Sequence, residues 1–140
     1  MGLYISVTTA SSGLTDSPIN HAITTLASRV AGERKQGNIP GGPSLDITFM
    51  LPGEMEEPDF SGMRMGGYST EGDTLYFETA VPKHIIHSPQ AGQYVAMVMQ
   101  DVIANAEAFF SETEVAFDSG QWQQCALLLA KAEIASPSIH

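Results

Sequence analysis

The chain has 140 residues, 43% hydrophobic and 16% charged, with 16 acidic side chains against 6 basic ones and a net charge of −10. That length suits a single hydrophobic core without metal or disulfide staples, and the composition is globular rather than disordered. So lopsided a charge repels polyanions and disfavours direct nucleic-acid binding, which needs clustered Lys and Arg; a basic protein partner suits it better.

In chain order, "LYISVTT" (residues 3–9) alternates Leu3, Ile5 and Val7 with Tyr4, Ser6 and Thr8, which predicts a strand. After the loop "ASSGLTD", Ser17-Pro18 gives a helix start, with a capping hydroxyl and a proline at the first helical position. Ile19, Ile23, Leu26 and Val30 then recur at helical spacing, and Arg29, Arg34 and Lys35 gather near the C-terminal end, where cations suit the helix dipole. "GNIPGGP" is a loop. "LDITFML" (45–51) predicts a second strand, with Leu45, Ile47, Phe49 and Leu51 on one face.

"EMEEPDFSG" follows as the most acidic stretch. "MRMGGYS" predicts a short strand in which Gly66-Gly67 mark a bulge, and Glu71-Gly72-Asp73 reads as a hairpin turn. "TLYFETAV" is another alternating strand, with Leu75, Phe77 and Val81 inward. Ser88-Pro89 repeats the helix-start signal ahead of Val95, Val98, Met99, Val102, Ala106 and Phe109, which predict a long amphipathic helix. Ser111 with Glu114, and Asp118 with Gln121, resemble capping boxes; the second opens a shorter helix carrying Trp122, Cys125, Leu128 and Leu129. The expected architecture is α+β in the order β-α-β-β-β-α-α, an antiparallel β-meander with helices packed on one face. A single domain is expected over residues 1–135, with a frayed tail over 136–140.

Two histidines lie between prolines in "AVPKHIIHSPQ" (80–90), His84 and His87. A catalytic zinc needs three protein ligands and a structural one four; the remaining donors, Glu78, Cys125, His21 and His140, are not in metal-type spacing. The favoured reading is a connection in which Ile85 and Ile86 anchor the chain while both imidazoles face water. A metal-dependent enzyme using His84 and His87 is the minority alternative, and no cofactor is expected. "TTASSGLTDSP" could seat an anion at a helix N-terminus, but it is not a Walker motif, and an ordinary capped loop is favoured. No nucleophile elbow, H-E-x-x-H or EF-hand spacing occurs. Cys125, the only cysteine, sits among apolar residues and reads as an inert thiol.

The N-terminus lacks the basic and apolar regions of a signal peptide, and no apolar run approaches the roughly 20 residues that span a bilayer. Met1-Gly2 with Ser6 matches a myristoylation pattern, but a strand beginning at Leu3 is favoured. With one cysteine, a reducing compartment is natural, and a cytoplasmic location is expected.

Between positions 53 and 78 stand Glu54, Glu56, Glu57, Asp59, Glu71, Asp73 and Glu78 against one cation, Arg64, with Met55, Phe60, Met63, Met65 and Tyr68 interleaved. Carboxylates steer a basic partner, and aromatic and methionine side chains supply adaptable anchors. The candidate partner-binding residues are Glu54, Glu56, Glu57, Asp59, Phe60, Met63 and Met65, weighed against a solvated acidic loop whose apolar residues tuck into the core. Glu107, Glu112, Glu114 and Asp118 form a second acidic set.

The wording of "FMLPGEMEEPDFSGMRMG" and "LYFETAVPKHIIHS", with the long helix after it, resembles small cytosolic immunity proteins of bacterial polymorphic-toxin systems over roughly residues 45–115. The resemblance implies a non-enzymatic protein that binds a cognate toxin domain, often a basic nuclease, and blocks its active site. It carries over no site residues, because such families recognise partners through variable surfaces. The expected function is neutralisation of a basic toxin or effector domain by direct binding, as a monomer or homodimer, without nucleic acid or membrane. A chaperone or adaptor for a secreted effector is the alternative.

Overall fold

The structure, a computed structural model, describes residues 2–8, 16–51 and 62–131, the side chain of Lys131 excepted. Its elements are β1 (Leu3–Val7), α1 (Pro18–Lys35), β2 (Ser44–Met50), β3 (Gly62–Ser69), β4 (Thr74–Ala80), α2 (Lys83–Ile86), α3 (Ala91–Phe110) and α4 (Ser119–Lys131). The class is α+β, but the antiparallel meander is overturned. The sheet order is β1-β2-β4-β3, with β1–β2 and β2–β4 parallel and only β3–β4 antiparallel.

The reason is topological. α1 carries the chain back along the sheet, so β2 restarts at the same end as β1 and runs beside it in the same direction. β3 then lies at the sheet edge, two strand positions from β2 (about 10 Å), and runs in the opposite direction. The hairpin turn at residues 70–73 returns the chain as β4 into the gap beside β2. The bulge falls where the glycines predict it: the β3–β4 register shifts between Met65 and Gly67, so that Gly66 is the unpaired residue.

The alternation of each strand sends one set of side chains under the helices. Leu3, Leu45, Ile47, Phe49 and Leu75 are fully buried and Phe77 is nearly so, while Tyr4 and Tyr76 on the opposite face are each 42% exposed. α1 packs on β1 and α3 on β3 and β4, and α4 lies mainly against α3. α1 opens as its sequence predicts: the Ser17 hydroxyl accepts from the Asn20 amide at 3.3 Å, ahead of Pro18. α3 starts later than Ser88-Pro89 suggests, at Ala91, because Ser88 instead accepts from the Gln90 amide at 3.0 Å and closes a turn. Ser111 opens no helix; it ends α3, its hydroxyl donating to the Ala108 carbonyl at 2.8 Å. Asp118 does cap α4, accepting from the Gln121 amide at 3.1 Å.

The residues between Pro82 and Pro89 form a helical turn, α2, which the expected element order omits. Pro82 stands just ahead of it, where a missing N–H costs nothing, so the proline permits the turn instead of forbidding it.

α1 ends in two nested bonds, Asn38 N–H to the Glu33 carbonyl at 2.9 Å and Gly37 N–H to the Arg34 carbonyl at 3.1 Å, with Gly37 at φ +79°. That left-handed conformation is cheap only for glycine. Gly37→Ala is expected to cost about 1 kcal/mol, read as a lower denaturant midpoint with an unchanged slope.

Candidate functional site

Of the seven carboxylates between positions 53 and 78, the structure describes Glu71, Asp73 and Glu78, and these fall at two different places. Glu54, Glu56, Glu57, Asp59 and Phe60 lie outside the described residues, in a segment whose flanks, Leu51 and Gly62, stand where β2 ends and β3 begins. Glu71 and Asp73 belong to the turn that follows β3. Glu78 sits mid-strand on the helix-free face, where its carboxylate accepts from both Arg64 Nε and Nη2 at 3.0 Å. Met63 and Met65 both fall in register with inward-facing β4 residues, Thr79 and Phe77. Met63 packs against the core, whereas Met65, at the sheet edge, stays 38% exposed.

Two members of the second acidic set, Glu112 and Glu114, stand near Glu71. Tyr68, one residue from the end of β3, touches the rings of Phe109 and Phe110 at 5.4 and 5.5 Å, and donates its hydroxyl to Asp73. The end of α3 and the connection to α4 therefore lie beside the hairpin turn, where Glu71, Glu112 and Glu114 are exposed. Asp118 is occupied with its cap, and Glu107 accepts from the Gln123 amide at 3.5 Å. No Lys or Arg occurs from His84 through Ala130. The ion pairs among the described residues, Arg29–Glu33 and Arg64–Glu78, lie elsewhere.

On the helix-free face one row of strand partners runs Tyr4, Asp46, Tyr76, and the next runs Ser6, Thr48, Glu78, Arg64. The Ser6 and Thr48 hydroxyls meet at 3.1 Å, and the Arg34 guanidinium lies 4.8 Å over the Tyr4 ring while donating to the Leu3 carbonyl. Partial burial raises the Asp46 pKa, so the folded state holds that proton more tightly than the unfolded chain does. Its contribution therefore favours folding in acid and is lost as pH rises through the folded-state value. Asp46→Asn is expected to raise the melting temperature near neutral pH and to change it little near pH 3, below the usual carboxylate range.

His84 lies in α2 and His87 follows it; both imidazoles are exposed, while Ile86 is buried and Ile85 packs against the core. Among the described residues, no three His, Cys, Asp or Glu side chains group in a way that could hold a metal ion. At the start of α1 the Ser17 hydroxyl caps the helix, and the loop ahead of it, residues 9–15, lies outside the described residues.

Cys125 is 3% exposed, and burial, with the Glu33 carboxylate adding to it, pushes its thiol up to about 11. The thiol is thus protonated through the neutral range and is no nucleophile. It is expected to resist alkylation by iodoacetamide near pH 8 and to react only under denaturant; rapid labelling of the folded chain would contradict that burial. Because the folded value is raised, whatever stability Cys125 lends is present below the ordinary thiol pKa and is lost as pH climbs toward 11.

Two hollows were not foreseen from the sequence. A cleft of about 500 Å³ between the loop at residues 37–41 and α4 is lined by Asn38, Gln121, Gln124 and Cys125, with no charged side chain. A smaller, more apolar groove of about 230 Å³ runs between α3 and α4, over Ile103, Ala104, Ala126 and Leu127. Its signal in the sequence is slight: Met97 and Leu127 fall off the apolar spacing of their helices, and they are 54% and 57% exposed.

Compared with protein-family models, with curated proteins and with solved structures, the chain matches none. No helix among the described residues is long and apolar enough to cross a membrane.

Proposed function

We propose that this chain is an acidic binding protein that neutralises a basic toxin or effector domain by direct contact. The observation that carries the reading is the cation-free stretch from His84 to Ala130, which leaves Glu112 and Glu114 exposed beside the exposed Glu71. Carboxylates held in water without a neighbouring cation keep their field and speed the approach of a positively charged surface. The buried, protonated thiol and the solvent-facing histidines favour binding over catalysis. Glu54, Glu56, Glu57 and Asp59 remain proposed contacts, with Phe60, Met63 and Met65 as candidate anchors. Of the two described anchors, Met63 and Met65, the exposure of Met65 favours the role. A cytoplasmic location and a monomeric or dimeric state belong to the same proposal.

The test is capture from source cells on the tagged chain, washed first at low and then at high salt. The expected result is one basic protein at equal stoichiometry whose own activity falls when purified chain is added back in equal amount. A captured client held unfolded would move the reading to a chaperone for a secreted effector. A partner that keeps full activity when bound, or a bait that captures nothing, would overturn neutralisation.

A further inference from the structure

The groove between α3 and α4 is where the structure offers a partner something besides charge. It is lined by Gln100, Ile103, Ala104, Gln123, Ala126 and Leu127; Leu127 is 57% exposed, and Met97, one turn before Gln100 on the same stripe of α3, is 54% exposed. Gln100 and Gln123 bring amides to that lining, and beside it on α3 stand Asp101, exposed, and Glu107, part-buried and accepting from Gln123. The lining spans Gln100 to Ala104 on α3 and Gln123 to Leu127 on α4, about one helical turn of each, roughly 6 Å at 1.5 Å per residue.

Resting on the binding function proposed above, we infer that this groove receives one amphipathic helix of the partner, with apolar side chains at helical spacing and Lys or Arg on its flanks. Charge complementarity selects that occupant. Neither α3 nor α4 carries a basic side chain before Lys131, so an acidic or neutral helix would meet carboxylates with nothing to offset them. A helix lays its apolar stripe into such a groove through anchors at i, i+3, i+4 and i+7. Met97, unbranched and adaptable, can move to accommodate it.

The probe is a 14-residue peptide of leucine and lysine in amphipathic helical order, titrated by calorimetry and followed by amide chemical-shift mapping on the full chain. A second peptide keeps every leucine and replaces each lysine with glutamate. Leu127→Glu and Met97→Glu change exposed positions, so folding is checked by circular dichroism and is expected to be intact. Each variant adds a carboxylate, so attraction by charge alone would tighten binding of the lysine peptide. Docking in the groove instead predicts at least a tenfold loss in each variant, shifts confined to α3 and α4, and no binding of the glutamate peptide. Unchanged or tighter binding in the variants, equal binding of both peptides, or shifts centred elsewhere would overturn the inference. So would a wild-type dimer that Leu127→Glu dissociates and that ignores the peptide, since the face then belongs to a second copy. A natural partner captured equally well by wild type and Leu127→Glu would leave the binding function standing and remove the groove from it.

Discussion

Trp122→Ala is expected to lower the unfolding free energy by about 3–5 kcal/mol, a large share of the roughly 5–15 kcal/mol that a domain of this kind holds. Trp122 is fully buried and stacks on Phe117 with ring centroids 5.8 Å apart and planes within 7°. Phe117 stacks in turn on Phe110, which meets Phe109 and Tyr68 edge-on or tilted, so one run of rings ties α4 to α3 and to β3. Truncating the indole leaves a hole in the middle of that run, and α4 loses what fixes it to the sheet. Trp122→Phe is expected to be much milder, below about 2 kcal/mol, because the indole Nε1 is buried without a hydrogen-bond partner among the described residues and phenylalanine removes that orphan donor. Denaturant midpoints with unchanged slopes would measure both. A loss under about 1 kcal/mol for the alanine variant would mean that the aromatic run does not hold α4.

The second large effect lies in association. Glu112→Lys combined with Glu114→Lys should slow binding of a basic partner by roughly tenfold and flatten its dependence on salt, while the dissociation rate stays close to wild type. The Lys pair at Glu56 and Glu57 provides the comparison, and we expect the 112–114 pair to have the greater effect. Stopped-flow association at two ionic strengths separates them. Wild-type rates in both double variants would remove electrostatic steering from the mechanism, though not the fold.

Much of this architecture was legible residue by residue. Leu45, Ile47 and Phe49 announced a buried strand face because side chains alternate across a strand, and the Ser17-Pro18 pair announced the start of α1 because both residues suit a helix N-terminus. Alternation reports which face a side chain takes, not which way the neighbouring strand runs, so β2 beside β4 could not be read from it. The parallel pairing of β1 and β2 did have a signal, the helix between them, since a chain that crosses back through a helix restarts in the same direction. Pro82 and Pro89 suggested irregular backbone around His84, yet a proline just ahead of a helical turn is compatible with it, and α2 formed. For the site, composition gave the acidity but not its placement. Glu71 and Glu112 are far apart in sequence, and only the packing of Tyr68 on Phe109 and Phe110 brings their neighbourhoods together. The α3–α4 groove needed both helices at once, because Gln100, Ile103 and Ala104 on one and Gln123, Ala126 and Leu127 on the other are unremarkable until they line one hollow.

The position of β2 has a consequence for how the chain acquires its fold. β1 leaves the ribosome first but can pair only with β2, across the whole of α1, and β2 is itself held on its other side by β4, which comes later still. The β3–β4 hairpin closes over a short turn and can form early, whereas the two parallel pairings must close long loops before they gain any contact. Sheet formation should therefore proceed from the β3–β4 hairpin toward β1, the reverse of the order of synthesis. Leu3, Ile5 and Val7 then remain an unpaired apolar edge until β2 and β4 are in place, and this short strand is where a chaperone would first be needed.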